Sequence, residues 1–260
     1  MNRYSLMVAA LLGFSAQAAV VTESVTYQVD GQEFKGYLAF DDSRTSPLPG
    51  VLVVHEWWGL NDYIRHRAEM LAEVGYVALA LDMYGDGKAA SHPAEAGEFA
   101  KASLASLPLA ERRFNAAREQ LARHPRVAGS PIAAIGYCYG GGVVLHMVRS
   151  GAPLAAVASF HGSLTPKANP LPVGSKTRIA VFNGAADPLV PAEQVAAFQQ
   201  EMETAGADYL LVNYPGALHA FTNPEADRVA AEFNMPVGYD EAADRDSWSR
   251  LQTFLQETFK

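Results

Sequence analysis

The chain has 260 residues, and 49% of them are hydrophobic, which fits one large domain with a single core better than two small domains. Its 28 acidic side chains outnumber its 20 basic ones and give a net charge of −8. This charge argues against nucleic acid and against an anionic membrane surface as binding partners.

The first eighteen residues have the pattern of a secretory signal peptide. Arg3 provides a short basic start, residues 6–14 form an apolar segment, and Ala16-Gln17-Ala18 has the small residues that signal peptidase requires. The apolar segment is too short to span a bilayer comfortably. We therefore expect residues 1–18 to be cleaved and residues 19–260 to form one domain without a membrane span. The mature protein is expected to be periplasmic or secreted.

Strands and helices alternate along the rest of the chain. Residues 25–29 and 34–40 flank Asp30-Gly31, which predicts a β-hairpin. Apolar segments predict further strands at 50–55, 76–81, 131–135, 154–160, 178–182 and 208–213. Helical patterns lie at 62–75, at 95–121 with an interruption near Pro108, at 143–148, at 192–204 and at 241–259. This alternation predicts a mostly parallel α/β sheet with helices on both faces, and functional sites at the carboxyl ends of its strands.

The single cysteine lies in a strand–turn–helix motif that is typical of a catalytic nucleophile. Residues 136–140, Gly-Tyr-Cys-Tyr-Gly, have the spacing of the G-x-S-x-G elbow, with sulfur in place of the hydroxyl. Gly136 and Gly140 leave room for the tight turn. A free cysteine is more often a small buried hydrophobic residue. The motif by itself therefore leaves both interpretations of Cys138 open.

Two further polar residues follow predicted strands, in the chain order nucleophile, acid, histidine. Asp187 follows the strand at 178–182, and His219 follows the last strand. A thiol needs a nearby imidazole to take its proton, and the imidazole needs a carboxylate to fix its tautomer. The N–H of Tyr139 would bind the oxyanion of the intermediate. Asp187 alone fits a turn and His219 alone fits a surface histidine, but their joint arrangement with Cys138 predicts catalysis.

The loop after the strand at 50–55 carries a fourth candidate. Its sequence, His-Glu-Trp-Trp-Gly, begins like a zinc-binding motif, but residue 59 is glycine rather than histidine, so no metal site is predicted. Glu56 directly follows a buried strand and therefore needs a polar partner. The N–H of Trp57 occupies the place where a second oxyanion donor is expected.

Together these residues resemble the dienelactone hydrolase (carboxymethylenebutenolidase) family over roughly residues 25–258. The resemblance rests on Glu56 after a strand, Gly-Tyr-Cys138-Tyr-Gly-Gly, Asp187 before Pro188, and His219-Ala-Phe221. It implies an α/β-hydrolase fold without a cofactor. It also implies that Cys138, His219 and Asp187 hydrolyse a small ester or lactone through a thioester, while Glu56 interacts with the resting thiol and helps to generate the thiolate.

One departure from the family pattern concerns the substrate. Dienelactone hydrolases bind the substrate carboxylate with two arginines, and the matching positions here hold Asp86 and Asn223. We therefore expect a neutral ester or lactone to be preferred over a carboxylate-bearing one. Lys88 is the nearby cation that would compensate.

The remaining expectations concern the pocket and the class of protein. The pocket is expected to include Trp58, Tyr84, His161 and Phe221. The predicted partner is a small-molecule ester or lactone, and the sequence makes no prediction of oligomeric state. The alternatives left open are a broader carboxylesterase or thioesterase, and a non-catalytic binding protein on the same fold.

Overall fold

The structure, a computed structural model, describes residues 20–44 and 47–260, so the predicted signal peptide lies outside the described residues. The strands are β1 (Val20–Val29), β2 (Gln32–Asp41), β3 (Gly50–Val54), β4 (Val77–Leu81), β5 (Ile132–Tyr137), β6 (Ala156–Phe160), β7 (Arg178–Gly184) and β8 (Tyr209–Tyr214). They form one sheet in the order β1-β2-β4-β3-β5-β6-β7-β8. β2 pairs antiparallel with β1 and β4, and every other pairing is parallel. The predicted mostly parallel sheet with an N-terminal hairpin is confirmed.

Helices cover both faces of this sheet. They are α1 (Asp62–Glu73), α2 (Pro93–Leu104), α3 (Leu107–Arg123), α4 (Tyr139–Arg149), α5 (Ala192–Ala205), α6 (Ala226–Phe233) and α7 (Glu241–Thr258). The buried side chains form one cluster with α3, α4 and α5 and a second with α1 and α7. None of the described helices is long and apolar enough to cross a membrane. The sheet is thus the central layer, and its strand ends are the places where polar side chains can meet.

The hairpin turn has the geometry that its two residues favour. Asp30 and Gly31 both have positive φ angles, 51° and 82°, as a two-residue type I′ turn requires. The strands are longer than the alternating pattern suggested, because pairing continues to Val20 opposite Asp41. The turn dipeptide therefore fixes the register of the whole hairpin.

Two helical regions differ in how well the sequence predicts them. The interruption near Pro108 is confirmed, because α2 ends at Leu104 and Pro108 lies in the first turn of α3, where its missing N–H is not needed. The short helix α6 was not predicted. Its apolar side packs with the nearby Val237 and with Trp58, which is distant in sequence, so little in the local pattern marks it.

Candidate active site

The carboxyl ends of β5, β7 and β8 bring Cys138, Asp187 and His219 together. Cys138 directly follows β5, Asp187 lies three residues beyond β7, and His219 lies five residues beyond β8. Asp187 and His219 are buried, and Cys138 is partly exposed. The fold thus gathers residues that lie up to 81 positions apart in the chain.

The turn at Cys138 has the strained geometry of a nucleophile elbow. Cys138 has φ 52° and ψ −113°, a conformation that side chains other than glycine rarely adopt. Its N–H is shared between the carbonyl oxygen of Phe160 at 2.9 Å and Nδ1 of His161 at 3.1 Å. α4 starts at the next residue, so the thiol projects from the junction of strand and helix.

The elbow glycines are required because backbone atoms occupy the space that a side chain would need. A Cβ atom on Gly140 would overlap the carbonyl oxygen of Val54 and lie 2.7 Å from that of His55. Gly142 lies half a turn further along α4, and the nearest atom to its Cβ would be 3.7 Å away. Of these two glycines, only Gly140 is therefore closed to a larger side chain.

We expect Gly140→Ala to lower the free energy of unfolding by about 3 kcal/mol or more, since rigid main chain must move to admit the methyl group. Gly142→Ala is the matched control on the same helix and should change it by no more than about 1 kcal/mol, with alanine favoured by helix propensity. Urea denaturation measures both. Equal stability of the two variants would contradict the proposed cause.

His219 is held by Asp187 and faces Cys138. Its Nδ1 lies 2.7 Å from Oδ2 of Asp187, whose Oδ1 accepts the N–H of Leu189 at 2.8 Å. Burial lowers the pKa of His219, but Cys138 and Asp187 raise it by more, to about 10. Nε2 is buried and has no hydrogen-bond partner within the described residues. This geometry favours a protonated imidazole whose Nε2–H is free for a reacting group.

Glu56 lies in the same site and has an amide partner. Its Oε2 accepts a hydrogen bond of 2.7 Å from Nδ2 of Asn223. Burial raises the pKa of Glu56 to about 7, against the opposing effects of Asn223, His219 and Arg67. The side chain can therefore hold or release a proton near neutral pH. In the sequence, Asn223 is notable only because it stands where the family has an arginine. Its hydrogen bond to Glu56 appears only in the fold.

The loop after β3 is anchored through its carbonyl groups. Nδ1 of the buried His55 hydrogen-bonds the carbonyl oxygen of Glu56, and the Tyr84 hydroxyl donates to that of Trp57 at 2.9 Å. Among the described residues, the N–H groups of Trp57 and Tyr139 have no hydrogen-bond acceptor. These two amides are the donors that the sequence proposed for an oxyanion.

A cavity of about 310 Å³ lies over the thiol, large enough for one small ligand. Glu56, Trp57, Cys138, Tyr139 and His219 all border it. The rest of its wall is mostly apolar and is formed by Trp58, Ala100, Gly142, Ser163, Lys167, Leu189, Val190, Ala220, Asn223, Ala226, Val229, Met235 and Val237. The helix α6, missed in the sequence, supplies part of this wall.

Three residues expected around the pocket instead lie behind its wall, which corrects the sequence-based expectation. Tyr84, His161 and Phe221 are at most 6% exposed and do not border the cavity. Tyr84 is turned toward the Trp57 carbonyl, and Phe221 packs edge-on against His161. Trp58 does border the cavity.

His161 supports the elbow from behind. Its Nδ1 accepts the N–H of Cys138, and its Nε2 lies 2.8 Å from Oγ1 of Thr222. Burial, followed by the charges of His219 and Arg67, lowers the pKa of His161 well below its ordinary value. A neutral ring with Nδ1 as acceptor and Nε2–H as donor satisfies both contacts. His161 is therefore a structural neighbour of Cys138 rather than a pocket residue.

Lys88 and Asp86 also lie elsewhere than the sequence suggested. Both side chains are exposed, they lie 3.5 Å apart as an ion pair, and neither borders the cavity. Asp86 belongs to a turn whose backbone N–H groups are bound by the buried Asp82. The expected compensation by Lys88 is therefore wrong, because its charge is used outside the site.

Comparison with known proteins gives consistent matches over almost the whole chain. A profile of the Dienelactone hydrolase family matches residues 34–259. A crystal structure described as a dienelactone hydrolase-like promiscuous phosphotriesterase from metagenomic libraries is 33% identical, with a TM-score of 0.85 over 93% of this chain and all of that one. A Yersinia pestis protein provisionally named carboxymethylenebutenolidase is 27% identical over 240 residues, covering 87% of this chain and 84% of that protein. An uncharacterised Caenorhabditis elegans protein is 36% identical over 149 residues, or 56% of this chain and 92% of that protein.

Proposed function

Because the chain belongs to the dienelactone hydrolase family and is an ester or lactone hydrolase of the α/β-hydrolase fold, we propose that it cleaves its small-molecule substrate through a thioester on Cys138. The observation that carries this proposal is the cavity in which Cys138 and the Asp187-bound His219 meet. Cys138 then acts as the nucleophile and His219 carries the proton. Asp187 is the acid that orients His219.

In the first half of the reaction the Cys138 sulfur attacks the ester carbonyl carbon, and the carbonyl oxygen takes up the negative charge. The N–H groups of Trp57 and Tyr139 would bind this oxyanion, and this role is supported by their lack of an acceptor among the described residues. His219 donates its Nε2 proton to the departing alkoxide as the C–O bond breaks. The products of this step are an alcohol and an acyl-Cys138 thioester.

In the second half, water replaces the thiol. Neutral His219 accepts a proton from water at Nε2 while the water oxygen attacks the thioester carbonyl. The collapsing intermediate expels the Cys138 thiolate and releases the carboxylic acid. Asp187 keeps the proton of His219 on Nδ1 in the neutral form and stabilises the ring when it becomes protonated.

We assign Glu56 a role in the resting enzyme, as the family resemblance implies. Glu56 borders the same cavity as Cys138, and its pKa of about 7 allows it to exchange a proton near neutral pH. Glu56 thus helps to generate the thiolate before substrate binds. Glu56→Gln should lower kcat/KM without unfolding the protein.

The direct test is turnover of p-nitrophenyl esters of increasing acyl length, with intact-protein mass spectrometry of samples quenched in acid. We expect a transient mass increase equal to the acyl group, located on Cys138 and released by neutral hydroxylamine, as thioesters are. A folded protein that hydrolyses none of these esters or simple lactones would contradict the proposal and favour a non-catalytic binding protein.

The pKa of Glu56 makes a separate prediction about stability. Its value rises from 4.5 to about 7 on folding. Between these pH values the folded protein keeps a proton that the unfolded chain has lost, so the free energy of unfolding decreases as pH rises. Glu56→Gln removes this decrease. The stability of the variant relative to the native protein should therefore increase by about 1–3 kcal/mol from pH 4.5 to 7.

Urea denaturation at both pH values measures this difference. Glu119→Gln, which removes an exposed carboxylate paired with Arg123 on α3, is the control and should change stability little at either pH. A difference between Glu56→Gln and the native protein that stays constant with pH would contradict the assignment.

A second candidate activity is phosphotriester hydrolysis. It is favoured by the 33% identity and TM-score of 0.85 to the promiscuous phosphotriesterase. The same thiol would attack phosphorus, and the amides of Trp57 and Tyr139 would bind the phosphoryl oxygen. Release of p-nitrophenol from a dialkyl p-nitrophenyl phosphate, lost in Cys138→Ala, would support it. Turnover that survives this substitution would contradict a shared nucleophile.

We also propose that the protein is exported, on the basis of the sequence of residues 1–18. The mature chain is then expected to begin near Ala19. Mass spectrometry of the protein from its native host gives the N-terminus directly, and an intact Met1 or Asn2 would contradict the proposal.

A further inference from the structure

We propose that Lys167 makes the active-site cavity selective for esters or lactones that carry an anionic group; this inference rests on the proposed ester or lactone hydrolysis. Lys167 lies in the segment between β6 and β7 and borders the same cavity as Cys138. It is the only lysine or arginine in the wall of that cavity as described. The charge preference expected from the missing arginines is therefore reversed.

The charge of Lys167 is available to a ligand. Within residues 20–44 and 47–260, no carboxylate lies within ion-pair distance of its Nζ. By contrast, the buried Arg149, whose charge also acts on Lys167, is neutralised by Glu201 through two contacts of 2.8 and 2.6 Å. Lys167 is an exposed residue, so its unpaired ammonium group at the cavity wall favours an anion there through an attraction that salt weakens.

The segment that carries Lys167 is anchored on both sides of it. The carbonyl oxygen of Leu164 accepts from Arg149 at 2.8 Å, and the N–H of Leu171 donates to Glu201 at 2.8 Å. The N–H of Leu164 also donates to Gln194 at 2.6 Å. Both leucines are buried. These contacts anchor the two ends of an exposed six-residue span, so its backbone keeps Lys167 beside the cavity.

The other charges around the cavity are compatible with an anion. Glu56 is the only acidic residue among the described residues of its wall, its carboxyl group accepts a hydrogen bond from Asn223, and burial raises its pKa to about 7. His219 adds positive charge when protonated. Partial burial and the nearby charge of Arg149 lower the pKa of Lys167. The proposed selectivity should therefore weaken at alkaline pH, as the ammonium group loses its proton.

The test compares matched anionic and neutral esters. Mono-p-nitrophenyl adipate and p-nitrophenyl hexanoate place the charge on the acyl side, and m-acetoxybenzoate and its methyl ester place it on the leaving group. The readout is the anionic-to-neutral ratio of kcat/KM, together with the same ratio of binding affinities measured on the Cys138→Ala variant. We expect Lys167→Met to lower the ratio about 3- to 10-fold for at least one pair, and Lys167→Glu to lower it further.

Lys176→Met is the matched control. Lys176 is an exposed lysine of the same segment, but it borders a groove with Pro131 and Ala155 at the opposite ends of the strands. Its substitution should leave both ratios unchanged. In the native protein, added sodium chloride should lower the ratio for the responsive pair, since salt screens a partly exposed charge.

The outcomes separate this inference from the catalytic proposal. The anion site would be overturned if Lys167→Met left the anionic-to-neutral ratios of kcat/KM and of affinity unchanged. This holds even if hydrolysis is normal. Absence of hydrolysis would contradict the catalytic proposal alone, because the affinity ratio on Cys138→Ala still reports whether Lys167 selects the anion.

Discussion

Cys138→Ala should lower kcat/KM for ester hydrolysis by about 10⁴-fold or more, the largest effect expected of any single substitution in this protein. The thiol is proposed to form the bond to the substrate, and no other described cysteine can replace it. The oxyanion donors are backbone groups and remain in place, so a small residual rate is expected. Cys138→Ser keeps the side-chain shape but not the acidity, and should recover little of the loss.

Two controls separate lost chemistry from lost structure. Both variants should keep the melting temperature within a few degrees of that of the native protein. Cys138 is only partly buried, and its hydrogen bonds are donated by its backbone N–H, which both variants retain. Iodoacetamide should modify this residue alone, and activity should fall in proportion to the label. Full activity in Cys138→Ala would rule out the thioester mechanism.

Asp187→Asn is expected to lower kcat by about 10³- to 10⁴-fold. Asp187 lies 2.7 Å from Nδ1 of His219 through Oδ2, and it helps to raise the pKa of that histidine. An amide removes the negative charge and can donate to Nδ1, which puts the proton of the neutral ring on Nε2. Nε2 then cannot accept a proton from water, and the protonated ring that serves the leaving group is no longer stabilised. The remaining oxygen can still accept the N–H of Leu189, so the loop is expected to keep its conformation.

Asp208→Asn provides the matched control. Asp208 lies just before β8 and forms an exposed ion pair of 2.7 Å with Arg178, far from the cavity wall. This substitution should leave kcat within about twofold of the native value and stability within about 1 kcal/mol. If Asp187→Asn kept more than about a tenth of the native kcat, Asp187 would be a loop residue rather than the orienting acid.

Asp187→Asn should also change how stability depends on pH. The pKa of His219 is raised on folding, so the stability that its protonation contributes is present below about pH 6.5 and is lost as pH rises toward 10. Without the Asp187 charge the pKa of His219 in the folded protein should fall, so the pH range over which this stability is lost should end at a lower pH. Thermal denaturation of both proteins between pH 6 and 10 measures the change.

Local sequence patterns were sufficient for the sheet and for the residues at its strand ends. Apolar segments of four to eight residues predict strands because a parallel sheet is buried on both faces, and Asp30-Gly31 predicts a hairpin because both residues tolerate positive φ angles. Gly136 and Gly140 marked the elbow because backbone atoms fill the space of their side chains. The strand and turn signals act between residues that are near one another in the chain, and so does the contact of Gly136 with the backbone of Gly140, whereas the space at Gly140 is filled by the distant Val54 and His55.

The sequence by itself therefore determined the fold class, the family and the candidates Cys138, Asp187, His219 and Glu56, whereas the surroundings of those residues were decided only by the tertiary structure. The pairing of Glu56 with Asn223 joins positions 167 residues apart. Lys167 borders the cavity, whereas Lys88 lies outside it beside Asp86, and only the folded chain shows this difference. The physical reason is that a short segment dictates its own backbone, but the charge and hydrogen-bond partners of a side chain depend on segments that only folding brings into contact.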